Sequence, residues 1–257
     1  MLKNFDFTTF RLEELLKFFQ KNDINTYTLQ DWIQLNPAKG VLIRNDVDRK
    51  PKNSLNFARI YNQYGIKGTF NFRIKKTSFN KKIVKDIVSL NHEIGYHYED
   101  LSDSNGDMKQ AIKKFKENLK SMRELTNINT ITMHGSPLSS YDNRDMCKNL
   151  DFEELDLIGE GYLSINFENI YYFTDTGRTW GSTFANVRDK AFGSKIPEYE
   201  IKSTVDLKNY ILKNKNQSFV LVFHPERWSS SISQLFFSYL LDLISSLAKV
   251  IIKILKK

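Results

Sequence analysis

The feature that most restricts what this chain can fold into is an alternation of short apolar runs with stretches of helical spacing. Gly40–Asn45 (GVLIRN), Gly68–Ile74 (GTFNFRI), His92–Glu99 (HEIGYHYE), Asn129–Met133 (NTITM), Ile170–Phe173 and Phe219–Phe223 (FVLVF) read as strands. Between them the spacing changes. Residues 8–21 put Phe10, Leu12, Leu15, Leu16 and Phe19 on one side of a helix. Residues 52–64 follow Pro51, carry Leu55, Ala58, Tyr61 and Tyr64, and stop at Gly65. Residues 80–90 form a further helix candidate, and 107–125 repeat Met108, Ala111, Phe115, Leu119 and Met122. Strands alternating with helices predict βαβ units, hence an α/β fold around a parallel sheet or barrel. No repeat or low-complexity linker interrupts the pattern, so residues 1–257 are expected to form one domain.

In folds of this kind ligands collect at the carboxyl ends of the strands. Asp46 and Asp48, His97, His134 and His224 each follow the apolar run of one of four strands, and they are expected to converge. In an extended segment Asp46 and Asp48 point the same way, and two carboxylates on one face repel unless a cation sits beside them. The alternative is that they are loop acids paired to Arg44, Arg49 and Lys50. One carboxylate and two imidazoles suit Zn2+ and are acceptable to other first-row divalent ions. Asp48, His97 and His134 are therefore the candidate ligands of a divalent metal, with zinc the expected ion. Such an ion lowers the pKa of a bound water to about 7. Asp46 is then free to accept a proton and His224 to protonate a leaving amine, a set that fits metal-assisted hydrolysis of an amide.

These residues also carry a family resemblance. The order GVLIRNDVD, GIKGTFNFRI, HEIGYHYE, TMHGSP and FVLVFHPERW, from about residue 40 to residue 228, resembles the NodB-homology polysaccharide deacetylases, carbohydrate esterase family 4. The variants RNDVDR, HYED, MHGSP and HPERW, with Asp175–Trp180 (DTGRTW) and Asn186–Lys190 (NVRDK), look like a branch from bacterial surface-polysaccharide gene clusters. The resemblance implies a distorted parallel (β/α) barrel and removal of an N- or O-acetyl group from a sugar. It implies Asp46 as general base, Asp48 as metal ligand and His224 as acid. The family's second motif has two histidines four residues apart; His97 fills the first place, but Leu101 stands in the second. His134 is the candidate replacement, with Glu99 or Asp100 as alternatives, and His92 matches a non-ligand histidine of the family.

Arg178 and Arg188 are candidates for binding a substrate phosphate or carboxylate, and Asn143 and Arg144 for a loop over the mouth. Trp180 and Trp228 are candidates to stack on a sugar ring or to pack the core. The expected partner is a carbohydrate, either a nucleotide sugar or a lipid-linked glycan. Nucleic-acid binding is disfavoured: the net charge is +8, but no basic run is interleaved with aromatics and no zinc-finger spacing occurs. A single cysteine, Cys147, requires no oxidising compartment and has no neighbour that would activate it. The opening residues show no apolar signal-like core, so the expected location is the cytoplasm. Residues 230–257 set Gln234, Ser238, Asp242, Ser245, Lys249, Lys253 and Lys256 at steps of 4, 4, 3, 4, 4 and 3, a helix with a narrow polar stripe. Its charges argue against a membrane span. It is expected to cover the barrel, meet a second copy, or lie in the interface of the inner membrane face.

Overall fold

The computed structural model describes residues 2–181 and 191–240. Helix α1 (Thr9–Lys21) is capped by the Thr8 side chain, which accepts from the Arg11 N–H, and buries Leu12, Leu15, Leu16 and Phe19. Then come β1 (Thr26–Tyr27), α2 (Leu29–Leu35), β2 (Gly40–Val47), α3 (Pro51–Gln63), β3 (Thr69–Phe72), α4 (Lys81–Val88), β4 (Glu93–Tyr98), α5 (Asp100–Asp103), α6 (Met108–Arg123), β5 (Thr130–Met133), β6 (Gly159–Glu160), β7 (Ile170–Thr174), α7 (Thr204–Lys213) and β8 (Ser218–Phe223).

Every strand pair is parallel, and the sheet runs β6-β5-β4-β3-β2-β8-β7 with β1 added beside β2. The fold is a distorted parallel (β/α) barrel, a curled sheet with flanking helices. All eight residues of β2 are buried, as befits a strand paired on both edges and covered on both faces. Its register sets the site. Asn45 pairs Phe70 of β3 and Phe223 of β8, and Tyr98 of β4 pairs Met133 of β5. Asp46, Asn71, His134 and His224 each come one residue after these pairs, so one rim receives all four.

Three findings differ from the sequence expectations. The short elements β1, α2, β6 and α7 are not evident from periodicity. Reciprocal caps do mark two of them, at Thr28 with Asp31 and at Ser203 with Asp206. Second, Trp180 does not stack on a sugar. It is fully buried, with its ring 5.3 Å from Phe223 and 6.0 Å from both Phe7 and Trp228, and its indole N–H donates to Thr204 Oγ1. Trp228 is buried in the same cluster. Two large apolar rings gain more from leaving water in the core than from waiting at a mouth. Third, residues 232–240 are helical but do not lay an apolar face on the barrel; residues from 241 onward, including most of the C-terminal stripe, lie outside the described residues.

Candidate active site

The rim is centred on one oxygen. Asp48 Oδ1 lies 3.5 Å from His97 Nε2 and 3.5 Å from His134 Nε2. It is buried and accepts no hydrogen bond. The other nitrogen of each ring faces an acceptor: His97 Nδ1 is 2.9 Å from the Thr132 carbonyl, and His134 Nδ1 is 2.9 Å from Glu99 Oε2. Both Nδ1 atoms must therefore carry hydrogen to donate, which leaves the Nε2 lone pairs of the neutral rings turned toward Asp48. Three acceptors with no donor among them repel, so the cluster requires positive charge. Protons can supply it. Burial disfavours a charged His97, but Asp46 and Asp48 outweigh that and raise its pKa. Asp48 is likewise pulled well below the ordinary carboxylate value: burial opposes this, and His134, His97 and His224 overcome it.

A divalent cation can supply the same charge. Tetrahedral zinc with bonds of 2.0–2.1 Å places its ligand atoms about 3.4 Å apart. The two Asp48–histidine distances already approach that value. Among the described residues no group of three or more His, Cys, Asp or Glu side chains is placed to hold a metal ion as it stands, so ligation has to draw this set inward. The orphaned Asp48 oxygen and the two locked ring tautomers nevertheless fit such an ion.

Leu101, four residues after His97, is buried in the core, and His134 is the second imidazole beside Asp48. Glu99 backs His134. Arg73 grips it with Nε and Nη2, each 2.8 Å from a carboxylate oxygen, and its pKa falls to about 2; burial resists the fall, while His134 and Arg73 drive it. An anionic Glu99 holds the His134 ring in one tautomer, the usual task of a carboxylate behind a metal-binding histidine. Asp100 points elsewhere, accepting from Tyr96 Oη at 2.7 Å and Asn118 Nδ2 at 2.8 Å.

Asp46 has both oxygens engaged. Arg44 Nη2 lies 3.1 Å from Oδ2, and Asn71 Nδ2 donates to Oδ1 at 2.8 Å. His97 Nε2 is 4.0 Å from Oδ2. The pairing of Asp46 with Arg44 is thus real, as one sequence reading allowed. Arg44 is fully buried, also bonds Tyr162 and Tyr172 Oη at 2.6 and 3.0 Å, and lies over the Tyr162 ring at 4.5 Å. Asn71 needs Gly95 opposite it: a Cβ there would stand 2.1 Å from Asn71 Oδ1. Gly95→Ala is expected to cost about 1–3 kcal/mol, read as a lower midpoint in urea unfolding, and to push Asn71 off Asp46.

On the opposite strand end, His224 Nδ1 is 2.6 Å from Asp175 Oδ1. Asp175 Oδ2 accepts from the His224 backbone N–H at 2.8 Å and from Trp228 Nε1 at 2.6 Å. Burial disfavours an imidazolium here, but Asp175 outweighs it and lifts His224 to about 10. His224 is therefore a proton-bearing group at neutral pH. Glu226, absent from the sequence reading, is a buried carboxyl beside the same site with an unbonded Oε2. Burial first, then Asp48, push it up to about 7. Its only sequence signal was its place two residues after His224.

No family model matches the chain, and no curated protein matches it. Among solved structures, it is similar to a mutant of a CE4-family pseudoenzyme at 16% identity and a TM-score of 0.40, covering 74% of this chain and 68% of that one. It is also similar to PdaA of Bacillus subtilis, a family 4 carbohydrate esterase, at 13% identity and a TM-score of 0.35, covering 82% and 86%. At that degree of overlap the site stands on its own geometry.

The remaining candidates among the described residues do not join the cluster. Asn143 is buried: its Nδ2 donates to the His134 carbonyl at 2.7 Å and its Oδ1 accepts from the Ser102 N–H at 3.0 Å, so it braces the loop behind His134 instead of facing a substrate. Arg178 turns to the C-terminal helix, 2.5 Å from Ser238 Oγ. Arg188 lies outside the described residues. Arg144 is held by Asp142 at 2.6 Å. His92 accepts from the Gly68 N–H and faces the Ala58 carbonyl at 2.8 Å, a structural bridge between α3 and the start of β3. Burial and nearby acidic groups push the Cys147 thiol up to about 12, which leaves it unreactive.

Proposed function

We propose that this chain is a divalent-metal-dependent hydrolase that removes an acyl group, acetyl in type, from the nitrogen of a sugar. The observation that carries the reading is the buried Asp48 oxygen facing two histidine nitrogens with no donor among the three. A divalent ion bound there, zinc by preference, would lower the pKa of a water to about 7 and polarise the acyl carbonyl. Asp46 stands next to the cluster and receives the proton of the attacking water. Arg44 and Asn71 hold it in place for that transfer. His224 gives its proton to the nitrogen as the C–N bond breaks, so that amine and carboxylic acid leave as products. Asp175 keeps that proton available. The motif order supports an N-acetylated sugar of bacterial surface-polysaccharide synthesis as the substrate, carried on a nucleotide or a lipid, with the enzyme working at the cytoplasmic face.

A second reading is a deacetylase-like carbohydrate-binding protein without turnover. Its support is that both oxygens of Asp46 are already committed to Arg44 and Asn71. Acetate release from UDP-N-acetylhexosamines and N-acetylhexosamine oligomers, with zinc supplied after chelation, separates the two. The first reading expects acetate release that Asp46→Asn lowers by about 100-fold or more. Sugar binding without acetate, unchanged by Asp46→Asn, would establish the second instead.

A further inference from the structure

One buried group at the rim has no part in the chemistry proposed above. Glu226 is 4% exposed, and its Oε2 has no hydrogen-bond partner. Its Oε1 lies 3.8 Å from Arg49 Nε, beyond hydrogen-bond reach. A carboxylate oxygen taken out of water without a donor destabilises the fold, so its retention points to something it answers.

The turn that carries Glu226 is fixed. Pro225–Arg227 form a 3-10 turn straight after His224. The Arg227 N–H donates to the His224 carbonyl at 2.9 Å and the Trp228 N–H to the Pro225 carbonyl at 3.2 Å. Asn53 of α3 donates through Nδ2 to the Pro225 and Trp228 carbonyls at 3.1 and 3.3 Å. β2 and β8 pair last at Asn45 and Phe223, and three residues further along the two chains stand Asp48 and Glu226. These carboxylates are near enough to repel: after burial, Asp48 is the main cause that pushes Glu226 up, while His224 pulls it down.

Two buried carboxylate oxygens, Asp48 Oδ1 and Glu226 Oε2, thus stand at one rim with no donor to either. A proton on Glu226 would cancel one charge, yet Oε2 has no acceptor in reach to receive it. A cation answers both oxygens at once. The charge of Asp46 is already matched by Arg44. A dication held by Asp48 and two neutral imidazoles would therefore leave one positive charge buried and uncompensated, and a second carboxylate brings the centre to zero. Zinc takes imidazole and carboxylate ligands together and can expand from four to five, so the addition leaves room for a substrate oxygen.

We propose that Glu226 is a further ligand of the divalent ion at this centre, joining Asp48, His97 and His134. This deepens the hydrolase reading and rests on it. It also ties the metal to the acid, because Glu226 and His224 stand two residues apart at the end of β8.

The test measures zinc affinity of wild type and Glu226→Gln by competition with a chromogenic chelator at neutral pH, and the thermal midpoint of each with and without zinc. Glu226→Gln keeps the size of the side chain and removes its charge. Zinc affinity is expected to fall by at least about tenfold. The metal-free midpoint is expected to hold or rise, since the unanswered anion is gone, and the gain on adding zinc to shrink. With cobalt in place of zinc, the visible absorption bands, which respond to coordination number, should differ between the two proteins. A purely structural Glu226 predicts the reverse, a lower metal-free midpoint with zinc affinity intact, and that result overturns the proposal. A cobalt spectrum that Glu226→Gln leaves unchanged overturns it too. Asp48→Ala separates this from the reading beneath it. Zinc lost in Asp48→Ala but kept in Glu226→Gln ends the present proposal and leaves the hydrolase standing. Equal zinc binding by wild type and Asp48→Ala ends the hydrolase reading, and this ligand set with it.

Discussion

Asp48→Ala should lose zinc binding, weakening it by more than the 10- to 100-fold that changes behind a ligand usually cost. Asp48 is the shared corner of the cluster: both histidine contacts run to its Oδ1, while the rings themselves are 5.2 Å apart centre to centre. Removing it takes away the anion that both imidazoles share. Thermal unfolding after chelation gives a second readout. Wild-type protein with free zinc at 100 times its Kd should gain about 2.7 kcal/mol, roughly 5–10 °C for a chain of this size. Asp48→Ala and His134→Ala should gain almost nothing. The wild-type gain should also shrink toward acid pH, because the raised His97 pKa makes protons competitors for the same site. Equal zinc-dependent shifts in wild type and Asp48→Ala would remove the metal from this site and the proposed reaction with it.

The second large effect is expected at Asp175. In the wild type His224 is held at about 10, against an ordinary 6.5, by a carboxylate 2.6 Å from Nδ1. Asp175→Asn keeps the size of the side chain and removes the charge. Burial then acts unopposed by that anion and favours the neutral ring, so at pH 7 His224 has no proton to give. The expected loss in kcat/KM at pH 7 is about 100- to 10,000-fold. The alkaline limb of the pH profile should move from near 10 to 6.5 or below. Stability provides the control. A folded pKa above the unfolded one stabilises fully below pH 6.5, and that contribution, about a few kcal/mol, is lost as pH rises through 10. Wild-type stability should therefore decline across that window, and the decline should flatten in Asp175→Asn. An unmoved alkaline limb would show that His224 is not the acid.

The residues from Gly40 to Phe223 show why some of this structure was legible beforehand. Strand and helix periods are local, so β2, β5, β8, α1, α3 and α6 could be read from apolar spacing alone. The parallel arrangement follows from their alternation, and with it the gathering of strand-end residues at one rim. That is why Asp46, Asp48, His97, His134 and His224 could be singled out together. The elements β1, α2 and β6 escaped because two or seven residues show no period, and the fate of Trp180 escaped because indole chemistry suits a sugar and a core equally well.

What only the tertiary structure decided is which group answers which. Glu99 supports His134 across 35 residues, Asp175 charges His224 across 49, and Arg44 meets Tyr162 and Tyr172 across 118 and 128. None of these spacings leaves a local signal, since a strand edge brings distant residues side by side without any repeat in the sequence between them. The same holds for the helix at 232–240: its stripe is written in the sequence, but which side faces the barrel is set by the clamp from Arg178 to Ser238. Periodicity determines that a helix has two faces; only packing against the rest of the chain determines which of them is left for a partner, because burial is a property of the neighbours a face meets.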